Sequence, residues 1–273
     1  MSRIRRPSRR RTLNDKLTLI LPDAHFPDAD PRAIEAVEKV CEALRPWRVV
    51  HLGDLLDCLP FTRHPLHKLK QAQDYDWEGM EIAPARRFIE RLKKNCGYYH
   101  QLWGNHEERA ERWCVGAGNT GEAIWSMINP KVRLLGGFSK DEVGFTPYVS
   151  KGDISCHYKI AKDLLAVHGW SFARHASAVH LGKSAMAGCS VVHGHTHRIQ
   201  VDSARNPLTG RVLKAWSPGC LANLAPEYTQ VNGPTSWAHG FSLVYVGKHS
   251  WTDYTIVIDR GYCVLPDGSE VKV

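Results

Sequence analysis

Five short apolar runs in this chain are each followed directly by side chains that can bind a metal ion. The five polar segments are Asp23-Ala24-His25, Gly53-Asp54-Leu55-Leu56-Asp57, Gly104-Asn105-His106-Glu107, His168-Gly169 and Gly194-His195-Thr196-His197. Carboxylate, imidazole and amide groups suit divalent metals of intermediate hardness. Because ligands bind outside the carboxyl ends of the strands in open α/β sheets, the pattern predicts that these segments meet around one metal site.

The apolar runs alternate with helical patterns over the first hundred residues. Strands are predicted at 16–21, 47–52 and 98–103, with helices at 31–44 and 77–95 between them. Asp30 followed by Pro31 is typical of a helix start, since proline is tolerated at the first helical position. The β-α-β-α-β order predicts a parallel sheet covered by helices.

The pattern changes later in the chain. Strands predicted at 164–167 and 189–193 flank a helix predicted at 174–187. Short alternating runs follow, which predict antiparallel strands of a second sheet, at 199–202, 212–216, 241–246 and 254–258. Residues 58–76 and 107–160 are less patterned, and we interpret them as insertions near the site.

Length and composition exclude several classes of protein. A chain of 273 residues fits one enzyme-sized domain, since a single core stops growing at about 250–300 residues. Apolar residues make up 43% and charged residues 23%, which excludes disordered, collagen-like and coiled-coil proteins. No apolar run approaches the roughly 20 residues of a membrane-spanning helix, so no membrane partner is expected. Eight cysteines without a C-x-x-C pair fit buried thiols in a reducing, cytoplasmic location.

Positive charge is concentrated at the N-terminus. The net charge is +8, and residues 1–11 contain six arginines and no acidic residue. We therefore expect an arginine-rich arm at 1–15, followed by a single domain at 16–273. Such an arm either docks on the phosphate backbone of DNA or RNA, releasing condensed counterions, or is a disordered solubilising segment. The sequence does not indicate an oligomeric state.

The order of the polar motifs resembles that of the calcineurin-like metallophosphoesterase superfamily. The motifs D-x-H, G-D-x-x-D, G-N-H-E, H and G-H-x-H run from Asp23 to His197, and the later Ser217-Pro218-Gly219-Cys220 is similar to the family's N-P-G-S turn. The resemblance implies an α/β fold, a four-layer α/β/β/α sandwich of two mixed sheets flanked by helices. It also implies two divalent metal ions, with Mn²⁺ expected and Fe, Zn or Ni as alternatives.

The resemblance further implies which residues bind the metals. The ligands of one metal would be Asp23, His25 and His197. The ligands of the other would be Asn105, His168 and His195, with Asp54 bridging both. Two ions about 3.5–4 Å apart would share a bridging hydroxide that attacks phosphorus.

His106 is not a ligand in the family but faces the substrate, where it contacts the phosphate or protonates the leaving oxygen. Asp57 would orient His106 and stabilise its imidazolium form, the alternative being a helix N-cap. Asn105, His106 and Arg109 are the candidate substrate-binding residues. Further candidate phosphate clamps, or otherwise surface arginines, are Arg63, Arg112 and Arg174.

These features predict a metal-dependent phosphoric ester hydrolase. The leading hypothesis is a phosphodiesterase or nuclease acting on nucleic acid or nucleotides, because the arm and the aromatic residues of the insertions suit a strand with stacked bases. Those aromatic residues, which would otherwise pack a core, are Phe61, Tyr75, Trp77, Trp113 and Trp125. Alternatives are a phosphomonoesterase, a small-molecule or cyclic-nucleotide phosphodiesterase, and a catalytically silent binding scaffold.

Two departures from the family pattern bear on the substrate. Cys58 follows Asp57 where the superfamily's protein phosphatases have arginine, which disfavours a protein phosphatase. Glu107 stands where the DNA-repair nucleases usually have aspartate, so this motif adds nothing to the nuclease hypothesis. Outside the motifs, His51 and His193 are expected to be buried structural residues. Surface positions or substrate contacts are expected for His64, His67, His175 and His180.

Overall fold

The chain forms strands and helices that alternate over its first half. The computed structural model describes residues 13–62, 75–148, 154–226 and 235–273. The strands are β1 (Asn14–Leu21), β2 (Pro46–His51), β3 (Tyr98–Leu102), β4 (Val143–Thr146), β5 (Tyr158–Ala161), β6 (Leu164–Val167), β7 (Ser190–His193), β8 (Ile199–Arg205), β9 (Val212–Pro218), β10 (Gly240–Val246), β11 (Trp251–Val257), β12 (Tyr262–Val264) and β13 (Glu270–Lys272). The α-helices are α1 (Pro31–Leu44), α2 (Ala83–Lys93), α3 (Asn105–Gly116), α4 (Gly118–Ile128), α5 (Pro130–Leu135) and α6 (Ala176–Met186).

The first sheet is mixed and has the strand order β11-β10-β1-β2-β3-β4. Its strands β1 to β4 are parallel, and β1 pairs with β2 in a register that places Leu19 opposite Val49. On the other side of β1, β10 runs antiparallel with Leu243 opposite Leu19. The β-α-β-α-β segment predicted from the sequence therefore forms the parallel part of this sheet.

The second sheet has the order β5-β6-β7-β9-β8, in which β6, β7 and β9 are parallel. The prediction that all strands after residue 198 form this sheet is wrong, because β10 pairs with β1 and β11 pairs with β10 in the first sheet. Strand β10 buries both of its faces, with Phe241 and Leu243 toward the helices and Val244 toward the other sheet. Only a position beside a central strand provides apolar partners on both faces.

Three apolar layers hold the two sheets and the helices together. In β1, Leu19 packs in the layer shared with α1 and α2, whereas its neighbour Ile20 packs between the two sheets. In β6, Leu164 faces the first sheet, and Leu165 packs against Leu181 of α6 on the outer face. Successive strand side chains point to opposite faces, so strands covered on both faces are continuous apolar runs. The fold is the predicted four-layer α/β/β/α sandwich.

Helices α3, α4 and α5 occupy much of the segment from 107 to 160 that showed little pattern in the sequence. Helix α3 was not apparent because its buried apolar side chains are reduced to Ala110 and Cys114, one turn apart. It begins at Asn105, immediately after β3 and Gly104. The helix therefore carries His106 and Glu107 in its first turn, at the edge of the first sheet.

Strand β1 begins at Asn14, so the expected arm at 1–15 is too long by two residues at its C-terminal end. The arginines of residues 1–11 lie outside the described residues, as do Arg63, His64 and His67. All eight cysteines are free and six of them are buried, as expected. None of the helices in the described ranges is long and apolar enough to cross a membrane.

Candidate metal centre

The five polar segments predicted from the sequence meet where the two sheets adjoin. Three follow β1, β2 and β3 of the first sheet, and two follow β6 and β7 of the second. Two groups of three buried side chains place one ligand atom each within 4.8 Å of the others: Asp23, His25 and His197, and Asp54, His168 and His195. These are the groupings that the family resemblance implies, with Asn105 beside the second group.

The first group contains two imidazole nitrogens and one carboxylate. Nε2 of His25 lies 3.0 Å from Nε2 of His197, which lies 3.3 Å from Oδ2 of Asp23. Asp23 is fixed in place because its two oxygens accept the backbone N–H of His195, at 2.9 and 3.0 Å. The loop after β7 therefore positions the carboxylate that follows β1.

The second group converges on Nε2 of His168. This atom lies 3.0 Å from Oδ1 of Asn105, 3.1 Å from Nδ1 of His195 and 3.3 Å from Oδ2 of Asp54. Nδ1 of His168 donates to the carbonyl of Leu52 at 3.0 Å, so a neutral His168 presents a lone pair at Nε2. A buried lone pair that faces two oxygens and a second imidazole nitrogen requires a cation or an additional proton between them. The donor set therefore fits a divalent metal, and the hydrogen bond of Nδ1 to a carbonyl is typical of histidines that ligate one.

Asp54 lies between the two groups. Its Oδ2 is 3.3 Å from Nε2 of His168 and 3.8 Å from Nε2 of His25. Its Oδ1 accepts the backbone N–H of His106 at 2.8 Å, which fixes the carboxylate from the third segment. Among the described residues, Asp54 is thus the carboxylate that lies within 4 Å of imidazole nitrogens of both groups, as a bridging ligand must.

The electrostatics of the centre favour bound positive charge. Burial raises the pKa of Asp54, but His106 and His168 outweigh it and hold that pKa well below its usual range. Burial lowers the pKa of His168, but Asp54 and Asp23 outweigh it and raise the pKa to about 9. His25 likewise has its pKa lowered by burial and raised by Asp57 and Asp54, with a resulting value of about 9. The carboxylates stay ionised and attract cations to this buried position.

His106 lies at the edge of the two groups and has a separate set of partners. Its Nδ1 is 2.9 Å from Oδ1 of Asp57 and 3.0 Å from the Asp57 carbonyl, so this nitrogen is the donor. Its Nε2 accepts from Nη2 of Arg109 at 2.9 Å. Oδ1 of Asp57 also lies 3.4 Å from Nδ1 of His25. The structure therefore places His106 in contact with Asp57, its predicted orienting residue, and with Arg109, a predicted substrate-binding residue. The 3-10 turn that follows has no side-chain cap from Asp57.

Four of the predicted ligands have left-handed backbone conformations. The φ angles are 54° at His25, 48° at Asp54, 71° at His195 and 56° at His197. Seven non-glycine residues of the described chain have positive φ, so the centre holds more than half of them. This conformation costs residues with a Cβ about 1–3 kcal/mol, and such strain concentrates where function fixes side-chain direction.

Glu107 is a buried acidic residue to which the sequence assigned no role. Its carboxylate accepts backbone N–H groups from Leu55 at 2.6 Å, Leu56 at 3.0 Å, Asp54 at 3.1 Å and Gly104 at 2.9 Å. Glu107, in the third polar segment, thereby fixes the backbone of the second polar segment at Asp54, Leu55 and Leu56. The G-N-H-E motif contains the signal, since a carboxylate three residues after the helix N-cap, here Gly104, is placed to accept backbone N–H groups.

Glu81 lies in the π-helical turn Glu78–Ile82 before α2. Like Glu107, it is a buried acidic residue that accepts backbone N–H groups of the segment after β2. It is buried and accepts the backbone N–H of Cys58 at 2.7 Å and of Leu59 at 3.0 Å, together with the hydroxyl of Tyr75 at 2.7 Å. Burial raises its pKa to about 7. This contact fixes the chain directly after Asp57.

Two stacked histidines lie beneath the loops that carry His168 and His195. The rings of His180 and His193 are 3.9 Å apart and nearly parallel, at 9°. Nε2 of His180 accepts the backbone N–H of Trp170 at 3.1 Å, and Nε2 of His193 contacts the hydroxyl of Ser177 at 3.0 Å. His193 is buried as expected, whereas the surface position expected for His180 is wrong, because its ring is fully buried.

The remaining candidate arginines of the described chain are exposed. Arg112 pairs with Glu108 at 3.4 Å, and Arg174 lies in the loop between His168 and α6.

Among the aromatic residues of the insertions, Phe61 packs against Trp77 at 5.4 Å and against Trp113 at 6.0 Å between ring centres. Trp125 packs against Trp103 instead, and the hydroxyl of Tyr75 donates to Glu81. Trp113 is 50% exposed.

Comparison with known proteins gives distant relatives. No family model matches the chain. The Gene 54 protein of Mycobacterium phage L5 is 25% identical over 249 residues, which are 86% of this chain and 91% of that protein. Vacuolar Protein Sorting 29 from Cryptosporidium parvum superposes with a TM-score of 0.50 at 14% identity, covering 94% of this chain and 98% of that one. The phosphoesterase Yfce of E. coli covers the same share of this chain and 99% of its own, with a TM-score of 0.37 at 13% identity.

The superposition on Vacuolar Protein Sorting 29 shows a shared fold and, at 14% identity, nothing beyond the fold. The two mixed sheets and the flanking helices agree with it. The chemistry of this chain has to be argued from its own side chains.

Proposed function

We propose that this chain, which has the fold of the calcineurin-like metallophosphoesterases, is a two-metal-dependent phosphoesterase that hydrolyses phosphodiesters of nucleic acid or nucleotides. The observation that carries the proposal is the convergence on Nε2 of His168, where Asn105, His195 and Asp54 present acceptor atoms within 3.3 Å. A proton on Nε2 of His168 would also lie among these acceptors, but a divalent cation would bind all of them together with the imidazole nitrogen.

The two groups of ligands would each hold one divalent ion. Asp23, His25 and His197 would hold the first, and Asn105, His168 and His195 the second, with Asp54 shared. When bound, two such ions lower the pKa of water at the centre and offset negative charge that develops on phosphoryl oxygens. Mixed carboxylate, amide and imidazole ligands suit Mn²⁺, Fe or Zn, and we propose Mn²⁺ as the metal for the first assays.

His106 is proposed as the group that protonates the leaving oxygen. Asp57 accepts from Nδ1 of His106 and so orients the ring, with Nε2 as the atom that would carry the proton. In the structure Nε2 instead accepts from Arg109 at 2.9 Å. A substrate phosphoryl oxygen would compete for this guanidinium, because arginine binds phosphate bidentately. Binding of the phosphate to Arg109 would then free Nε2 of His106 to take up a proton from solvent, which it would pass to the leaving oxygen.

The nucleic-acid part of the proposal rests on charge. Residues 1–11 carry six arginines, and Arg109, Arg174 and Arg198 lie in the ligand loops or close to them. A polyanionic substrate would gain affinity from each of these contacts and lose it with added salt. Eight free cysteines fit a reducing compartment, and we propose the cytoplasm.

The first experiment tests turnover. The protein loaded with Mn²⁺ is expected to hydrolyse bis-p-nitrophenyl phosphate, and the Asp54→Asn variant to lose both the activity and part of the bound metal. Parallel assays on single-stranded DNA, duplex DNA, RNA, cyclic nucleotides and p-nitrophenyl phosphate separate diesterase from monoesterase action. No turnover of any of these with Mn²⁺, Ni²⁺, Fe²⁺ or Zn²⁺ would overturn the proposal in favour of a silent scaffold.

A further inference from the structure

Phe172 is an exposed aromatic residue that lies directly against the candidate metal centre. Its side chain is 72% exposed, yet its ring centre lies only 3.9 Å from that of His195, which is 7% exposed. One face of the phenyl ring therefore packs on a proposed metal ligand, and much of the rest is open to solvent. Single exposed apolar residues are common on protein surfaces, so this position needs support from its surroundings.

The loop that carries Phe172 is held by side chains from the neighbouring segment. Arg198, the residue after His197, donates from Nη2 to the carbonyl of Phe172 at 3.2 Å and to that of Ala173 at 2.8 Å. Gln200 donates to the carbonyl of Arg174 at 2.7 Å. At the other end of the loop, the backbone N–H of Trp170 is held by His180. These hydrogen bonds fix the backbone on both sides of Phe172 and therefore the position of its phenyl ring.

We propose that Phe172 is the stacking surface for the nucleobase of a nucleotide or nucleic-acid terminus whose phosphate is bound at the metal centre. This inference rests on the proposed function for the phosphate site and adds the recognition of the base. The contact with His195 places the ring beside the second group of ligands. A substituent of the bound phosphate ester that extends toward this side would therefore contact an aromatic face. Stacking accepts any base, because every base has a π-face.

The residues around Phe172 favour a nucleotide over a purely apolar aryl ester. Arg174 follows it in the same exposed loop, and the guanidinium of Arg198 lies beneath the loop. Cationic groups next to an exposed ring are suited to a base attached to a chain of phosphates. An apolar substituent would gain nothing from them.

The test compares two ligands that share a phosphate and a sugar and differ in the base. Calorimetric titration of the Mn²⁺-loaded protein with thymidine 5′-monophosphate and with deoxyribose 5-phosphate is expected to show tighter binding of the nucleotide. Phe172→Ala should weaken nucleotide binding by about 5- to 100-fold and leave deoxyribose 5-phosphate within about twofold. Phe172→Trp should retain the preference, and Phe172→Leu, which keeps an apolar contact on His195, should lose it.

Leu208→Ala is the matched control, since this residue is 94% exposed in the turn between β8 and β9. The inference is overturned if the wild-type protein binds both ligands equally, or if Phe172→Ala weakens both to the same extent. The experiment distinguishes failure of the stacking proposal from failure of the proposed hydrolysis. A base preference that depends on Phe172 without any ester hydrolysis removes the catalytic proposal only, and hydrolysis without a base preference removes the stacking surface only.

Discussion

Oε2 of Glu107 accepts the backbone N–H of Asp54 at 3.1 Å, so a residue in the first turn of α3 fixes the backbone of the proposed bridging ligand. The relationship is reciprocal, because Oδ1 of Asp54 accepts the backbone N–H of His106 at 2.8 Å. Two loops that follow neighbouring strands are locked together by these contacts. The position of Asp54 therefore depends on a residue that would not itself touch a metal or a substrate.

Replacing Glu107 by Gln should weaken metal binding. The amide retains one acceptor oxygen, but its NH₂ group would face backbone N–H donors that the carboxylate now satisfies. Loss of an outer partner of a metal ligand typically costs 10- to 100-fold in affinity, and we expect a decrease of that size for Mn²⁺ by calorimetry. Glu111→Gln, an exposed position on the same helix, is the control. Equal Mn²⁺ affinity in the two variants would show that Glu107 does not position Asp54.

His106→Asn should separate catalysis from metal binding. His106 contacts Asp57 and Arg109, and its side chain belongs to neither proposed ligand set. We expect kcat for bis-p-nitrophenyl phosphate to fall by about 10²- to 10⁴-fold, the usual contribution of a general acid, with the Mn²⁺ content unchanged by elemental analysis. A variant that loses its metal together with its activity would instead identify His106 as a ligand.

Gly104→Ala should disrupt the centre by steric overlap. A Cβ at this position would overlap Oδ1 of Asp54 and lie 2.6 Å from Cε1 of His168. We expect lower Mn²⁺ affinity and a loss of about 1–3 kcal/mol in the free energy of unfolding, measured in urea. Gly116→Ala, at the other end of α3, meets nothing within 4 Å and should be neutral or stabilise by up to about 1 kcal/mol. Normal metal binding by Gly104→Ala would mean that the two loops can separate at no cost.

His180→Gln should alter the pH dependence of stability. Burial lowers the pKa of His180 to about 4, whereas the unfolded chain has a value near 6.5. The unfolded state therefore binds more protons between these values, and the folded state loses stability as the pH falls below about 6.5. The loss assigned to this residue between pH 7 and pH 5 is about 2 kcal/mol. Urea unfolding of the metal-free protein should show a difference of that size between wild type and His180→Gln, and parallel pH profiles would contradict the assignment.

Most of the candidate site could be predicted from the sequence because each ligand segment directly follows a buried strand. The positions after β1, β2 and β3 are determined by local patterns, namely an apolar run that ends in glycine or proline and is followed by polar residues. Helix α1 was also predictable, since Asp30 caps it and Pro31 begins it. In such segments, the apolar run that predicts a buried strand and the polar residue that follows it are neighbours in the sequence, so no distant contact is needed to predict either.

The supporting contacts could not be predicted in the same way. Nothing in the sequence near Glu107 shows that its carboxylate reaches the backbone of Asp54 and Leu55, more than 50 positions earlier. His180 lies in a helix with weak periodicity, and its stacking on His193 depends on how α6 packs on the second sheet. Phe172 resembles any apolar residue in a loop until its contact with His195 is seen.

The sequence by itself determined the strands β1, β2, β3, β6 and β7 and the polar side chains that follow their carboxyl ends. Only the tertiary structure decided that β10 and β11 join the first sheet and that β6 and β7 belong to the second, which places His168 and His195 opposite Asp54. The physical reason is that hydrophobic periodicity records how deeply a segment is buried and not which segment covers it. The pairing of strands is selected by the packing of all three apolar layers together, and the metal centre lies where that selection brings the two sheets side by side.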